Sequence, residues 1–176
     1  MFTGHGTTMS RQNHEQRRKE LAAVSDTTLY FSYTALMSPY RLRDVAPGAE
    51  FQFIAHLPET RLIFPYELEA GSGALPSVRP EPGNTVWGAM FAVTDEDLDA
   101  ISSAELLELR TVTYDFKAVD REGKRHSVVT HIHADLTDRV AHPSKKYMGQ
   151  IVLGARHWKL PTGWIAGLEE HMDDPS

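Results

Sequence analysis

The sequence predicts an α+β domain with five to six strands, mostly antiparallel in its second half, and three helices. Apolar, aromatic or alternating runs typical of strands occupy residues 29–33, 51–56, 61–66, 85–93, 109–119 and 126–134. Segments typical of helices occupy residues 94–107, 144–158 and 162–171. A chain of 176 residues with 41% hydrophobic residues suits one domain with a buried core.

The domain is organised around residues 29–39, where an aromatic run with strand composition leads into a loop. Ser38 is a favourable N-cap residue and Pro39 suits the first helical position, so a short helix is expected to begin there. A strand that enters a loop at a helix N-terminus places backbone N–H groups where they can bind a carboxylate or phosphate. The alternative is an ordinary first strand of an α/β domain, since such units are common.

The next part of the chain predicts two short strands and a long loop. A turn over residues 45–49 precedes the strands at residues 51–56 and 61–66. Residues 69–83 contain three glycines and three prolines, which predicts a loop, and long ordered loops are often functional. The buried strand at residues 85–93 follows.

The helix over residues 94–107 has a clear start, because Thr94 is a good N-cap and three acidic residues follow it. Leu98, Ile101 and Leu106 are expected to form its apolar stripe. A hairpin turn at residues 120–123 joins the last two strands, and the two C-terminal helices follow.

Composition excludes several classes of function. The net charge is −6, and basic and acidic residues are mixed, which argues against a nucleic-acid surface. The absence of cysteine excludes disulfides, a thiol nucleophile and thiolate metal ligands. Without an apolar N-terminal core or a run of membrane-spanning length, a cytoplasmic protein without membrane contact is expected.

Residues 1–28 are polar and predict a flexible arm before a single domain over residues 29–172. The sequence leaves the oligomeric state open.

One candidate site is the strand segment that contains His131, His133 and Asp135, which period-two spacing places on one face. Such a face is a plausible start for a divalent metal site, and it resembles the metal-binding turn of the metallo-β-lactamase superfamily. That turn has a further histidine where Leu136 stands, and its distant ligands need more chain than follows here. The alternative, a polar strand face near the surface, is favoured, and no metal site is predicted.

The second candidate is Glu105, which follows Ile101 by four residues and so shares the apolar side of its helix. A carboxylate on that side would be partly removed from water, which suits a general acid or base. The alternative is an exposed glutamate at a helix end, which is common on protein surfaces.

With these features placed, the chain resembles the γ-glutamylcyclotransferase-like (AIG2-like) family over about residues 29–170. Four blocks in matching order carry the resemblance: Leu29-Tyr30-Phe31-Ser32-Tyr33 with Met37-Ser38-Pro39, Arg41-Leu42 and Pro47-Gly48-Ala49; Pro82-Gly83-Asn84-Thr85-Val86-Trp87-Gly88; the helix with Glu105; and Pro143-Ser144-Lys145-Lys146-Tyr147 with Gly154-Ala155-Arg156, Leu160-Pro161 and Trp164-Ile165. The resemblance implies a small mixed β-barrel or sheet with flanking helices.

The resemblance also implies a small-molecule substrate, a γ-glutamyl amine, amino acid or dipeptide, and intramolecular aminolysis without cofactor or metal. The substrate's α-amino group attacks its own γ-carbonyl, which yields 5-oxoproline and a free amine. Glu105 would be the general acid/base, Tyr147 would hydrogen-bond the substrate, and the loop at residues 71–77 would border the pocket. The substrate loop would comprise Tyr33, Thr34, Ala35 and Leu36.

That loop departs from the family's usual Tyr-Gly-Ser-Asn, because Thr34 replaces the glycine and two polar side chains become Ala35 and Leu36. Leu106 also stands where a glycine commonly follows the glutamate. A more apolar pocket with a different acyl or amine specificity is therefore expected. The alternative is a catalytically inactive relative that binds a small molecule or a protein.

Overall fold

A computed structural model of the protein describes residues 27–137 and 142–173. Most of the predicted arm, residues 1–26, lies outside the described residues. The five strands are β1 (Thr28–Ser32), β2 (Glu50–Glu67), β3 (Ala74–Val93), β4 (Thr111–Asp120) and β5 (Arg125–Ile132). The four helices are α1 (Pro39–Val45), α2 (Asp95–Leu107), α3 (Lys145–His157) and α4 (Thr162–Glu170), and a 3₁₀ turn spans Ala35–Met37.

The strands form a closed barrel in the order β1-β3-β2-β4-β5. All neighbours are antiparallel except β1 and β5, which run parallel and pair at Tyr30 and Val129. The helices flank this barrel, which confirms the predicted α+β class and the small mixed barrel. Among the described residues, no helix combines the length and apolar character needed to cross a membrane.

The predicted loop at residues 69–83 is wrong from Ala74 onward, because β3 already begins at that residue. β2 and β3 form one long irregular hairpin in which the predicted strands at residues 51–56 and 61–66 are continuous. Pro76 and Pro82 lie at shifts in the register, where a missing N–H removes no regular ladder bond. The turn and proline signals therefore mark irregularities within a strand.

Both long helices begin as predicted. Thr94 accepts a hydrogen bond from the backbone N–H of Asp97, and Ser144 accepts one from that of Tyr147. Pro39 begins α1, although the hydroxyl of Ser38 forms no capping bond. The predicted stripe of α2 holds for its first half only, because Leu106 is 56% exposed and Glu105 is buried in its place.

Helix α3 packs directly on the 3₁₀ turn that follows β1. Gly154 permits this approach, because a Cβ atom there would lie 2.4 Å from the carbonyl oxygen of Met37. The indole N–H of Trp158 donates to the same oxygen at 2.8 Å. This packing fixes the loop after β1 against the helix that carries Tyr147.

Candidate active site

Glu105 lies in the last turn of α2 with only 2% of its surface exposed. Its Oε1 accepts a hydrogen bond from the hydroxyl of Thr34 at 2.9 Å. Its Oε2 accepts one from Nε of Arg110 at 2.6 Å. The carboxylate is therefore buried beneath the loop after β1, as the apolar spacing predicted, and the guanidinium compensates the cost of removing its charge from water.

The end of α2 places Arg110 opposite Glu105. The N–H of Arg110 donates to the carbonyl of Glu105 at 3.1 Å, and that of Leu109 donates to the carbonyl of Leu106 at 2.9 Å. Leu109 has a φ of 59°, the left-handed conformation that such a helix end requires. The chain therefore reverses at Leu109 and returns Arg110 to the helix it has just left.

Arg110 is fully buried and connects several polar groups. Its Nη1 donates to the carbonyl of Pro76 at 2.9 Å and to the hydroxyl of Tyr66 at 3.2 Å. Burial opposes its charge, but the charge and hydrogen bond of Glu105, together with Tyr147 and Tyr33, outweigh this and hold the pKa of Arg110 well above its usual value. A permanent positive charge therefore lies in the interior of the site.

Glu108 and Tyr147 form the outer part of the same network. The hydroxyl of Tyr147 donates to Oε1 of Glu108 at 2.6 Å, and Nη2 of Arg110 donates to that same oxygen. Nη2 also lies 3.2 Å from the Tyr147 hydroxyl. Burial and the carboxylates of Glu108 and Glu105 raise the pKa of Tyr147 well above its usual value, although Arg110 opposes them. Tyr147 is therefore a neutral hydrogen-bond donor at physiological pH.

The backbone of the loop has two weakly engaged donors. The N–H of Ala35 lies 3.4 Å from the hydroxyl of Tyr147, and the N–H of Leu36 lies 3.4 Å from the hydroxyl of Thr34. Both distances exceed those of strong amide hydrogen bonds. Thr34 itself has extended backbone angles, φ −96° and ψ −169°, which any residue adopts. Its replacement of glycine therefore causes no backbone strain in this loop.

A cavity of about 320 Å³ opens beside this network. Glu108 and Tyr147 contribute to its wall, whereas Glu105 does not. The remaining lining residues come from α1, the β2–β3 turn, the start of β3 and the N-cap of α3: Arg41, Leu68, Glu69, Ser72, Gly73, Leu75 and Ser144. The predicted contribution of residues 71–77 agrees with this lining.

The other predicted site residues lie deeper. Tyr33 is 3% exposed and donates its hydroxyl to the carbonyl of His131 at 2.6 Å, while Leu36 packs in the hydrophobic core. Ala35 is also buried and approaches Tyr147 through its backbone. The structure thus brings Thr34 and Ala35 to Glu105 and Tyr147, and directs the side chains of Tyr33 and Leu36 elsewhere.

The two histidines of the predicted metal segment have separate environments, and Asp135 contacts His133 through its backbone N–H, which donates to Nδ1 at 3.0 Å. The ring of His131 is buried and hydrogen-bonded to the hydroxyl of Ser102 at 2.9 Å. The ring of His133 stacks on Tyr66, with centroids 3.7 Å apart. Within residues 27–137 and 142–173, no group of three or more histidine, aspartate or glutamate residues is arranged to hold a metal ion.

Sequence reasoning missed Arg110 and Glu108. Their signal is a charged residue at positions 105, 108 and 110, separated by leucines, where a helix ends. Glu105 and Glu108 are three residues apart and share a helical face, but Arg110 does not, so the reversal at Leu109 is needed to bring Arg110 to the two carboxylates.

Comparison with known proteins shows which family this chain is similar to. The sequence model of the AIG2-like family matches residues 85–168, which include Glu105, Arg110 and Tyr147. The γ-glutamylcyclotransferase of Mus musculus is 26% identical over 141 residues, which cover 77% of this chain and 74% of that protein. The Homo sapiens γ-glutamylcyclotransferase is 25% identical with the same coverage. The family model, the two curated relatives and the barrel fold together support a likeness to the AIG2-like, γ-glutamylcyclotransferase-like family.

A solved structure shares the fold of this chain. A structure named γ-glutamyl cyclotransferase superimposes with a TM-score of 0.72 at 23% sequence identity. The match covers 81% of this chain and 86% of the other. The barrel with flanking helices is therefore the shared architecture, as the sequence resemblance implied.

Proposed function

We propose that the protein catalyses intramolecular aminolysis of a γ-glutamyl amine or amino acid, or of a related acyl amine. The observation that carries this proposal is the burial of Glu105 beneath the loop at Thr34, beside the cavity wall formed by Tyr147. A water-poor carboxylate next to a ligand-sized cavity suits proton transfer. Similarity to γ-glutamylcyclotransferases supports the same reaction class.

In the proposed reaction, the substrate's α-ammonium gives a proton to Glu105, and the free amine attacks the γ-carbonyl carbon. Oε1 is the proposed proton acceptor. It is bound by the hydroxyl of Thr34 and by a long 3.5 Å contact with Arg110, whereas Oε2 accepts a short bond from Arg110. The N–H groups of Ala35 and Leu36, which are only weakly engaged in the loop, are the proposed hydrogen-bond donors to the oxyanion.

Collapse of the tetrahedral intermediate breaks the bond to the leaving nitrogen, which takes the proton back from Glu105. The second proton of the attacking nitrogen also ends on the released amine, which leaves as an ammonium ion. The products are 5-oxoproline and the amine, and no water or cofactor is consumed.

The test is to incubate the full-length protein with a panel of γ-glutamyl amines and amino acids. Cyclisation releases 5-oxoproline and amine in equal amounts, whereas hydrolysis would release glutamate. We expect Glu105→Gln and Glu105→Asp to lower kcat by at least about 100-fold, because they remove or displace the acid/base group. Glu96→Gln, on the exposed side of the same helix, should retain activity.

A second candidate function is a non-catalytic member of the family that binds a small molecule. The engagement of both Glu105 oxygens by Arg110 and Thr34 favours it, since these bonds alone explain a structural carboxylate. Binding of γ-glutamyl ligands without release of 5-oxoproline would establish this function and exclude the first.

A further inference from the structure

Glu108 differs from Glu105 in its access to the cavity. Its side chain is 18% exposed, against 2% for Glu105, and it forms part of the cavity wall. Oε1 of Glu108 accepts bonds from Tyr147 and Arg110. Among the described residues, none donates a hydrogen bond to its Oε2. An ionised carboxylate oxygen at a cavity wall therefore has room for another donor.

The charges of the cluster favour a cationic ligand. Glu105 and Glu108 contribute two negative charges and Arg110 contributes one positive charge, so the three ionised groups sum to −1. The buried Arg110 is already shared between the two carboxylates. A bound ammonium group would balance the remaining charge and would donate the missing hydrogen bond.

Fixed geometry makes Glu108 a selective contact. Tyr147 and Arg110 hold its Oε1 from two sides, and the carbonyl of its backbone accepts a bond from Tyr66. A carboxylate held in this way loses little conformational freedom when a ligand binds. Glu69 lies on the same cavity wall, but it is exposed and contacts neither Tyr147 nor Arg110.

We infer that Glu108 is the substrate-binding carboxylate of the cavity and that its Oε2 binds the α-ammonium group of the ligand. This inference rests on the proposed function for the identity of the ligand, a γ-glutamyl compound. It assigns separate tasks to the two glutamates: Glu108 selects and orients the ammonium group, and Glu105 receives its proton.

The test compares two probes that differ only in the ammonium group: γ-glutamylmethylamide and the mono-methylamide of glutaric acid. Dissociation constants are measured by calorimetry for the full-length protein, Glu108→Gln and Glu96→Gln, with KM where turnover occurs. Circular dichroism checks that each variant is folded. Glu108→Gln should weaken binding of the ammonium probe by at least about tenfold. Binding of the second probe should change less than about twofold. The control Glu96→Gln, on the exposed side of α2, should change binding of neither probe by more than that.

Equal weakening of both probes by Glu108→Gln, or equal effects of Glu108→Gln and Glu96→Gln, would overturn the inference. The inference would also be overturned if the unmodified protein converts γ-glutamylmethylamide and Glu108→Gln leaves the KM for this substrate unchanged. The proposed reaction would stand in that case. If no 5-oxoproline is formed but Glu108→Gln selectively weakens the ammonium probe, the reaction fails and the inference stands.

Discussion

Replacement of Arg110 by methionine is expected to remove much of the stability of this domain. Arg110 is fully buried, and its guanidinium donates to Glu105 at 2.6 Å, to the Pro76 carbonyl at 2.9 Å, and to Glu108. Methionine fills a similar volume but leaves a buried carboxylate without its partner. Breaking a buried ion pair in this way costs about 3–5 kcal/mol. That loss is a large part of the roughly 5–15 kcal/mol that holds a typical domain folded.

Urea denaturation followed by circular dichroism measures this change in the free energy of unfolding. Arg156→Met is the matched control, because Arg156 pairs with Glu169 on the surface, where the side chains are 63% and 41% exposed. That exposed pair should contribute no more than about 1 kcal/mol. A second variant, Arg110→Met with Glu105→Gln, tests the mechanism, since it also removes the buried negative charge.

The loss in free energy of unfolding of the double variant should be about 1–3 kcal/mol smaller than the summed losses of the two single variants. Strict additivity would show that Glu105 and Arg110 do not stabilise each other. If Arg110→Met lost no more stability than Arg156→Met, the assignment of Arg110 as the charge that permits burial of Glu105 would be refuted.

Two further predictions concern Thr34 and His131. Thr34→Val removes the hydroxyl that donates to Glu105 and should lower the free energy of unfolding by about 1.5–3 kcal/mol. Thr34→Ser keeps a hydroxyl and should retain most of that free energy. A valine variant as stable as the unmodified protein would contradict this prediction. Burial and the charge of Arg110 lower the pKa of His131 to about 4, against 6.5 for a histidine in water. The unfolded chain therefore takes up a proton first, and up to about 3 kcal/mol of stability is lost as the pH falls from 6.5 to 4. His131→Leu should flatten this part of the curve of unfolding free energy against pH, and an unchanged slope would argue against His131 as its source.

The parts of the fold that follow from local chemistry could be predicted well. Thr94 and Ser144 begin their helices because a short polar side chain caps free N–H groups wherever it precedes a helix. The spacing of Glu105 from Ile101 correctly predicted a carboxylate on the buried side of α2. The loop after β1 lies against Glu105 through the hydroxyl of Thr34, whereas its role as a substrate loop stays a prediction.

Other predictions failed where distant parts of the chain determine the outcome. The glycines and prolines at residues 69–83 predicted a loop, but pairing with β2 extends β3 back to Ala74. Pro76 and Pro82 lie at shifts in the register of this pairing. The stripe on α2 did not extend to Leu106, because Arg110 makes burial of the neighbouring carboxylate favourable. Neither the partner strand nor the buried cation is visible in the local pattern.

The sequence by itself therefore determined the α+β class, the helix starts and the position of one candidate acidic residue. These depend on interactions between residues close in the chain. The tertiary structure decided which charges meet, because a buried arginine is stable only where β3, α2 and α3 together supply its partners. It also decided that Glu108, rather than Glu105, lines the cavity, where Arg110 and Tyr147 hold the carboxylate of Glu108.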